Sequence, residues 1–343
     1  MTVDMSRLLL IKMSSLGDIV HALPTLYAIR KNWPQAHITW AVHEQFKELL
    51  PGKPWLDEVI YIDKKQLKKP SYLWHLRKEL HKRHFTSCLD LQCLAKSALV
   101  AMLSGAPVKY GYWELREGSS LIEKPLVGSH QYDHVIERYL DAVRALGGQV
   151  EGIHFPLPVH KEAKESLAHL LISKGYIAGS PYVVLAPGAR WILKEWPPLY
   201  FAELAKRITD TKRFVFLIGS LEDTDKSRLI EEHVQSPYLI NLSGHTSLAQ
   251  LIELIKGAAF YISADTGPLH IANAANIPLI GLYGTTSPKR TGPYGGAHVH
   301  VIVSPTSKAT PESPLVDDPL CMQQIDVNRV WYLYQTCVNE LGM

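Results

Sequence analysis

Short apolar runs alternate with segments of helical spacing along almost the whole chain, and this alternation restricts the fold more than any other feature. In the first half "RLLLIKM" (7–13), "HITWAV" (37–42), "EVIYID" (58–63) and "FTSCLDL" (85–91) read as strands. Helical spacing separates them, as in Ile19, Leu23, Leu26 and Ile29. The second half repeats the pattern with "YVVLAPG" (182–188), "RFVFLIGS" (213–220), "YLINLSG" (238–244), "AFYISAD" (259–265) and "PLIGLYG" (278–284), with helices expected over 198–209, 222–233, 247–256 and 268–275. Short, continuously apolar strands joined by helices imply parallel sheets covered on both faces. The chain is thus expected to be α/β, with two doubly wound Rossmann-like domains flanking a central crevice.

The 343 residues suffice for two domains with a core each, and 46% hydrophobic with 20% charged residues is the balance of a folded, water-soluble chain. Prolines in "HFPLPVHKE" (154–162) interrupt the periodicity and set the expected domains at 1–158 and 159–325. A last helix over 326–343 follows the Pro/Ser-rich 304–319, which is long enough to return the chain to the first domain. No apolar run reaches the roughly 18 residues of a membrane span, and no secretory signal pattern opens the sequence, so a cytoplasmic protein is expected. Cys88, Cys93, Cys321 and Cys337 form no Cys-x-x-Cys pair and are too few for a disulfide framework. They are expected to be reduced and structural.

The net charge of +3 gives no reason to expect nucleic acid, but the charge is uneven. Lys64, Lys65, Lys68, Lys69, Arg77, Lys78, Lys82 and Arg83 stand against the single acid Glu79 within 64–84. With Leu73, Leu76 and Leu80 at helical spacing turned inward, Trp74 and the cations would meet either solvent or an anionic leaflet.

Three strand exits carry the chemistry. In "SADTGPLHIANA" (263–274) a strand delivers Asp265 and Thr266, Gly267 allows close approach, and Pro268 suits the first helical position. The positive end of that helix, His270 in its first turn, and Thr285 and Thr286 one strand later make an anion site; simple helix capping is the alternative for Asp265. "APGARWILKEWPP" (186–198) places Arg190 and Lys194 where cations could neutralise a diphosphate leaving group. "IKMSSLGDIVH" (11–21) places Lys12 at a strand end, Ser14, Ser15 and Gly17 in the turn, and Asp18 at a helix start. There Asp18 is either a general base or a carboxylate serving the helix dipole. His21 reads as a packing neighbour. "DTD" (223–225) reads as helix capping rather than a metal pair, and neither G-x-G-x-x-G nor a Walker A loop is present.

Together "KMSSLGDIVHALP", "LDLQCLAKSALV", "KEWPPLYFAELAKRI", "SADTGPLHIANA" and "CMQQIDV" resemble the bacterial lipopolysaccharide heptosyltransferases of glycosyltransferase family 9, in order from about residue 7 to 337. The first block resembles heptosyltransferase I more than II. The resemblance implies a GT-B fold and an inverting transferase, with Asp18 as base and Lys194 on the donor phosphates. Asp265, Thr266, Gly267 and His270 would hold ADP-heptose. Lys12, Lys96, Arg116 and Arg138 would face an anionic acceptor, lipid A bearing 3-deoxy-D-manno-octulosonic acid (Kdo). No metal or other cofactor is expected to be required, a divalent cation at most stimulating. The basic segment 64–84 would hold the protein against the cytoplasmic leaflet of the inner membrane. Heptosyltransferase II, another GT-B nucleotide-sugar enzyme and a non-catalytic ADP-sugar sensor are the alternatives. Cys93, where glycine is commoner in this family, and the long 304–319 segment depart from its pattern.

Overall fold

A computed structural model describes residues 3–342 and divides the chain into two compact units, Met1–Pro158 and Val159–Met343. The first holds β1 (Arg7–Ile11), α1 (Leu16–Asn32), β2 (His37–Val42), β3 (Glu58–Tyr61), α2 (Pro70–His81), β4 (Ser87–Asp90), α3 (Ala95–Leu103), β5 (Val108–Tyr112), β6 (Lys124–Leu126) and α4 (Val135–Ala145). Its six strands are all parallel, in the order β3-β2-β1-β4-β5-β6. The apolar runs of β1, β2 and β4 are buried on both faces, which accounts for their lack of polar alternation. Leu76, Leu80, Val100 and Ala101 of α2 and α3 cover one face around Leu9, Ile11 and Cys88.

The second unit runs α5 (Lys161–Ser173), β7 (Tyr182–Ala186), α6 (Pro198–Asp210), β8 (Phe214–Leu217), α7 (Thr224–Val234), β9 (Leu239–Asn241), α8 (Leu248–Lys256), β10 (Phe260–Ala264), α9 (Gly267–Ala274), β11 (Leu279–Tyr283), α10 (Pro288–Thr291), β12 (Val299–Val303) and α11 (Val327–Glu340). Its sheet is again parallel and six-stranded, β12-β11-β10-β7-β8-β9. Each sheet reverses its strand order at one place, between β1 and β4 and between β7 and β10. Helices leaving the two central strands diverge to opposite faces there, opening a crevice beyond the carboxyl ends.

Two expectations about the end of the chain are corrected. Segment 304–319 folds over the exit of β11, where Ser287 N donates to Pro314 O and Val316 N to Thr285 O. Helix α11 packs on the second unit, not the first: Val330, Tyr334 and Cys337 join the core of that unit. Tyr334 meets Phe260 edge-on at 5.2 Å and its hydroxyl accepts from Arg213 at 3.0 Å. The reason is local, since the apolar stripe of α11 finds α6 and the β10 face directly after the short 3₁₀ turn Cys321–Gln324, and the carbonyl of the next residue, Ile325, accepts from buried Trp196 Nε1. No helix of the described residues is long and apolar enough to cross a membrane.

Tyr334→Ala should cost the second unit about 3–5 kcal/mol, the range for a buried aromatic, while Tyr334→Phe should cost only about 1 kcal/mol through the lost Arg213 hydrogen bond. Urea denaturation of the full chain reads both. Equal, negligible effects would show that α11 contributes nothing to this core.

Candidate active site

In the first unit the carboxyl ends of β1, β4 and β5 gather most of the expected acceptor residues. Lys12 follows β1 and is 5% exposed. Its ammonium donates to Leu91 O at 2.9 Å and to Tyr139 Oη at 2.7 Å, and it lies 4.8 Å from the Tyr139 ring centre. No carboxylate of the described residues comes within ion-pair distance of it. A buried ammonium held only by neutral oxygens is costly, and an incoming anion would lower that cost. Tyr139 packs edge-on against Tyr112, whose hydroxyl donates to Glu114 at 2.9 Å; Arg138 reaches the same carboxylate at 3.9 Å and is 2% exposed. Arg116 acts electrostatically on Tyr112, Glu114 and Tyr139. Lys12 and Arg116 thus act on one pair of tyrosines, and Arg138 meets the Glu114 carboxylate that Tyr112 binds.

Asp18 is half-buried, and its Oδ2 accepts from Ser15 N at 3.0 Å and Ser15 Oγ at 2.7 Å. This is a capping arrangement at the start of α1, so the helix-end role is real. Its charge also reaches Tyr139, one of the causes that hold that phenol protonated far above its usual range, after burial itself. Asp18 therefore belongs to the Lys12 cluster electrostatically. Ser14 N and Met13 N both donate to Gln92 Oε1, at 3.2 and 2.8 Å, which ties the turn to the exit of β4. Gly17 is buried in the first turn of α1. His21 is buried, with His134 edge-on at 5.7 Å. Lys96 is exposed, and its field falls on His43 rather than on the tyrosine pair.

In the second unit one carboxylate organises the site. Asp265 Oδ2 accepts from Lys194 Nζ at 2.6 Å and Thr286 Oγ1 at 2.8 Å, while Oδ1 accepts from Tyr283 Oη at 3.3 Å and lies 3.6 Å from His270 Nε2. Burial by itself would push this carboxyl up, but the His270 hydrogen bond and the Lys194 charge outweigh it and hold the group well below the usual carboxylate range. Thr266 begins α9 without a side-chain cap, and its hydroxyl pairs with Ser263 instead, so capping does not account for these residues. Proline at 268 in the first turn and the glycine at 267 leave the helix start uncluttered. Thr285 is buried and donates to Leu193 O at 3.3 Å, which fastens the Lys194 loop. Arg190 is exposed and makes no hydrogen bond or ion pair among the described residues. Asp223 of "DTD" accepts from Ser220 N and Oγ, the capping role expected for it.

A model of glycosyltransferase family 9 (heptosyltransferase) matches residues 73–315, most of the chain. The chain belongs to glycosyltransferase family 9, the heptosyltransferases. The family 9 chain is 28% identical over 312 residues to lipopolysaccharide heptosyltransferase 1 of Pseudomonas aeruginosa, with 86% of this chain and 83% of that protein covered. A family 9 glycosyltransferase from Veillonella parvula shares its fold with TM-score 0.84 at 19% identity, covering 99% of each chain. The E. coli heptosyltransferase WaaC with ADP-2-deoxy-2-fluoro heptose aligns with TM-score 0.72 at 23% identity, covering 96% of this chain and 99% of that one. The family 9 enzyme is a glycosyltransferase of GT-B fold. Its sensor alternative therefore falls away.

Tyr139 and Tyr283 are additions that the residue pattern did not single out. Each adjoins a residue that it did, Tyr139 beside Arg138 and Tyr283 just before "GTT", but a tyrosine inside an apolar helix or strand is indistinguishable from core until its hydroxyl finds a partner.

The depressed Asp265 contributes stability that is complete above the unfolded carboxyl value of about 4 and is lost as pH falls through its lower folded value. The stability difference between wild type and Asp265→Asn, measured by denaturant melts of the second unit's transition, should therefore narrow as pH drops below about 4. A difference that stays constant into that range would refute the ion-paired state.

Proposed function

We propose that this enzyme is heptosyltransferase I-like: it transfers L-glycero-D-manno-heptose from ADP-heptose to the Kdo region of lipid A in lipopolysaccharide inner-core synthesis, with inversion. The observation that carries the acceptor half is Lys12, a buried ammonium with no carboxylate of the described residues within ion-pair distance, bonded to a tyrosine on which Arg116 also acts. A sugar acid such as Kdo brings the missing carboxylate. The donor half is supported by Lys194, Asp265, Thr286 and the start of α9 at the second strand reversal, and by the nucleotide-sugar analogue bound to the related E. coli structure.

In the reaction, an acceptor hydroxyl oxygen bonds to the anomeric carbon as the bond from that carbon to the diphosphate breaks. The bonding electrons leave with ADP, and the hydroxyl proton passes to Asp18. A sugar hydroxyl is a poor nucleophile at neutral pH, and a positioned carboxylate that accepts its proton contributes about 10²–10⁴-fold. Oδ2 of Asp18 is oriented by the Ser15 cap, which fixes the carboxylate plane. Lys194 shares its proton-rich end with Asp265 and has N–H capacity left for phosphate oxygens, and the helix start adds favourable dipole. Direct displacement needs neither a covalent enzyme intermediate nor a second carboxylate.

The basic segment supports attachment to the cytoplasmic face of the inner membrane. Trp74 is 59% exposed, Lys78 lies 5.4 Å from its ring, and Lys64, Lys65, Lys68, Lys69 and Arg77 are exposed, while Leu76 and Leu80 are buried. Each cation near an anionic leaflet contributes about 1 kcal/mol.

Purified wild type should release ADP and add one heptose to Kdo-lipid A, read by product mass, and give the inverted anomer. Asp18→Asn should retain donor binding with turnover lower by about 10²–10⁴. Lys12→Met should chiefly raise the acceptor KM. An active enzyme that accepts only lipid already carrying a heptose would move the assignment to heptosyltransferase II, and retention of configuration would end the proposed mechanism. Liposomes containing anionic lipid should bind wild type and lose a variant with Lys68, Lys69 and Lys78 changed to Glu; unchanged binding would remove the membrane role.

A further inference from the structure

The first unit contains a cluster that the transfer reaction does not use. Asp90 ends β4, Cys93 lies three residues further on in the following turn, and Glu123 immediately precedes β6. All three are buried, at 0, 0 and 2% exposure, and one donor atom from each lies within 4.8 Å of the others. Asp90 Oδ1 is satisfied, accepting from Gln92 N at 2.6 Å and Cys93 N at 3.0 Å. Asp90 Oδ2 and both carboxylate oxygens of Glu123 receive no hydrogen bond. Neither acid has a lysine or arginine within ion-pair distance among the described residues. The Ser97 hydroxyl donates to Leu94 O at 2.9 Å and also acts on Asp90, whose carboxyl is pushed up by burial and pulled back by Glu123 and Ser97 as hydrogen-bonding neighbours.

Two facing carboxylates in the dry interior require something positive between them. One shared proton is the simplest occupant: burial, then the Asp90 charge, pushes the Glu123 carboxyl up to about 10. A proton, however, joins one oxygen of Glu123 to Asp90 Oδ2 and leaves the other Glu123 oxygen without a partner. A cation can take both oxygens of Glu123 together with Asp90 Oδ2. The third side chain is also more than a spacer. Cys93 adopts φ +52°, in the left-handed region where a side chain is disfavoured, and its Sγ, which lies 3.1 Å from Asp90 O and 3.7 Å from Tyr112 O, is within 4.8 Å of a carboxylate oxygen of each acid. A β-carbon on Gly111 of β5 would come within 2.7 Å of that sulfur and 3.1 Å of Glu123 Oε2, so the glycine opposite leaves the cluster its space.

We propose that Asp90, Cys93 and Glu123 form a buried structural site for a divalent cation of zinc type. Two carboxylates and a thiolate are a donor set that a borderline metal accepts and that Mg²⁺, which takes oxygen and keeps its waters, does not. Binding releases the thiol proton and the carboxyl proton to solvent. Burial, then the charges of Asp90 and Glu123, push the Cys93 thiol far up, with Lys12 acting more weakly in the opposite sense, so the thiolate forms only as the metal binds. The site would stiffen the turn after β4, whose Gln92 holds the backbone of Met13 and Ser14 and hence the approach to Asp18. It is independent of which acceptor the enzyme uses.

The test is metal analysis of tag-free full-length protein, as purified and after refolding with zinc alone, alongside Cys93→Gly. Glycine suits the backbone at 93, so this variant is expected to fold. Wild type should carry close to one zinc per chain, and Cys93→Gly should hold it at least about tenfold more weakly with unchanged circular dichroism. Cobalt(II) in place of zinc should give wild type a thiolate-to-metal absorption band in the near ultraviolet that the variant lacks. This band needs no variant to be informative. Absence of zinc and of the cobalt band from folded wild type, or equal zinc affinity in Cys93→Gly, would overturn the proposal and leave a shared proton as the occupant.

Discussion

A wholly parallel sheet covered on both faces must reverse its strand order somewhere, and the rest of this structure follows from that constraint. Right-handed crossovers send the helices after β1 and β4, and after β7 and β10, to opposite faces. The strand ends between them are left uncovered. In the first unit this puts the Lys12–Asp18 turn beside the Asp90–Cys93 turn, joined through Gln92. In the second it puts the Lys194 loop beside Asp265, joined by a 2.6 Å ion pair. The same topology, used twice, yields a cation-rich pocket edge in one unit and a charge-balanced one in the other.

The two edges solve the problem of buried charge in opposite ways. Asp265 is nearly enclosed but receives Lys194, Thr286, Tyr283 and His270, and the sum of these contacts exceeds the cost of its burial. Lys12 is as deeply buried but rests on a carbonyl and a phenol, and among the described residues no carboxylate comes within ion-pair distance of it. One site closes its charge upon itself through the Lys194–Asp265 pair. The other leaves its ammonium on neutral oxygens.

Much of this is legible in the residues. Strands β1, β2, β4, β7, β8, β10 and β11 announce themselves as continuous apolar runs because both faces are covered. Strands β5, β6 and β12 do not: "VKYGY" carries a lysine and a glycine, "KPL" is three residues long, and "VHVIV" is half-exposed. β6 and β12 are sheet edges, where solvent covers what a neighbour would otherwise bury and the apolar signal fades. Asp18, Lys194, Asp265 and Thr286 are legible because strand ends followed by glycine, proline or serine turns mark where parallel sheets expose chemistry. Tyr139 and Tyr283 are not, since their hydroxyls gain partners only when distant strands come together.

The sequence by itself determined two doubly wound α/β units, the boundary region near residue 158, and which strand exits carry charged groups, because hydrophobic period and turn chemistry are local properties. Only the tertiary structure decided that α11 packs on α6 and Phe260, that Lys194 spends its charge on Asp265, and that Glu123 faces Asp90 and Cys93. Each of those outcomes joins residues tens of positions apart, through an apolar stripe, an ion pair or a pair of desolvated carboxylates. Such energies depend on distance and burial in space, and neither is written in the spacing of residues along the chain.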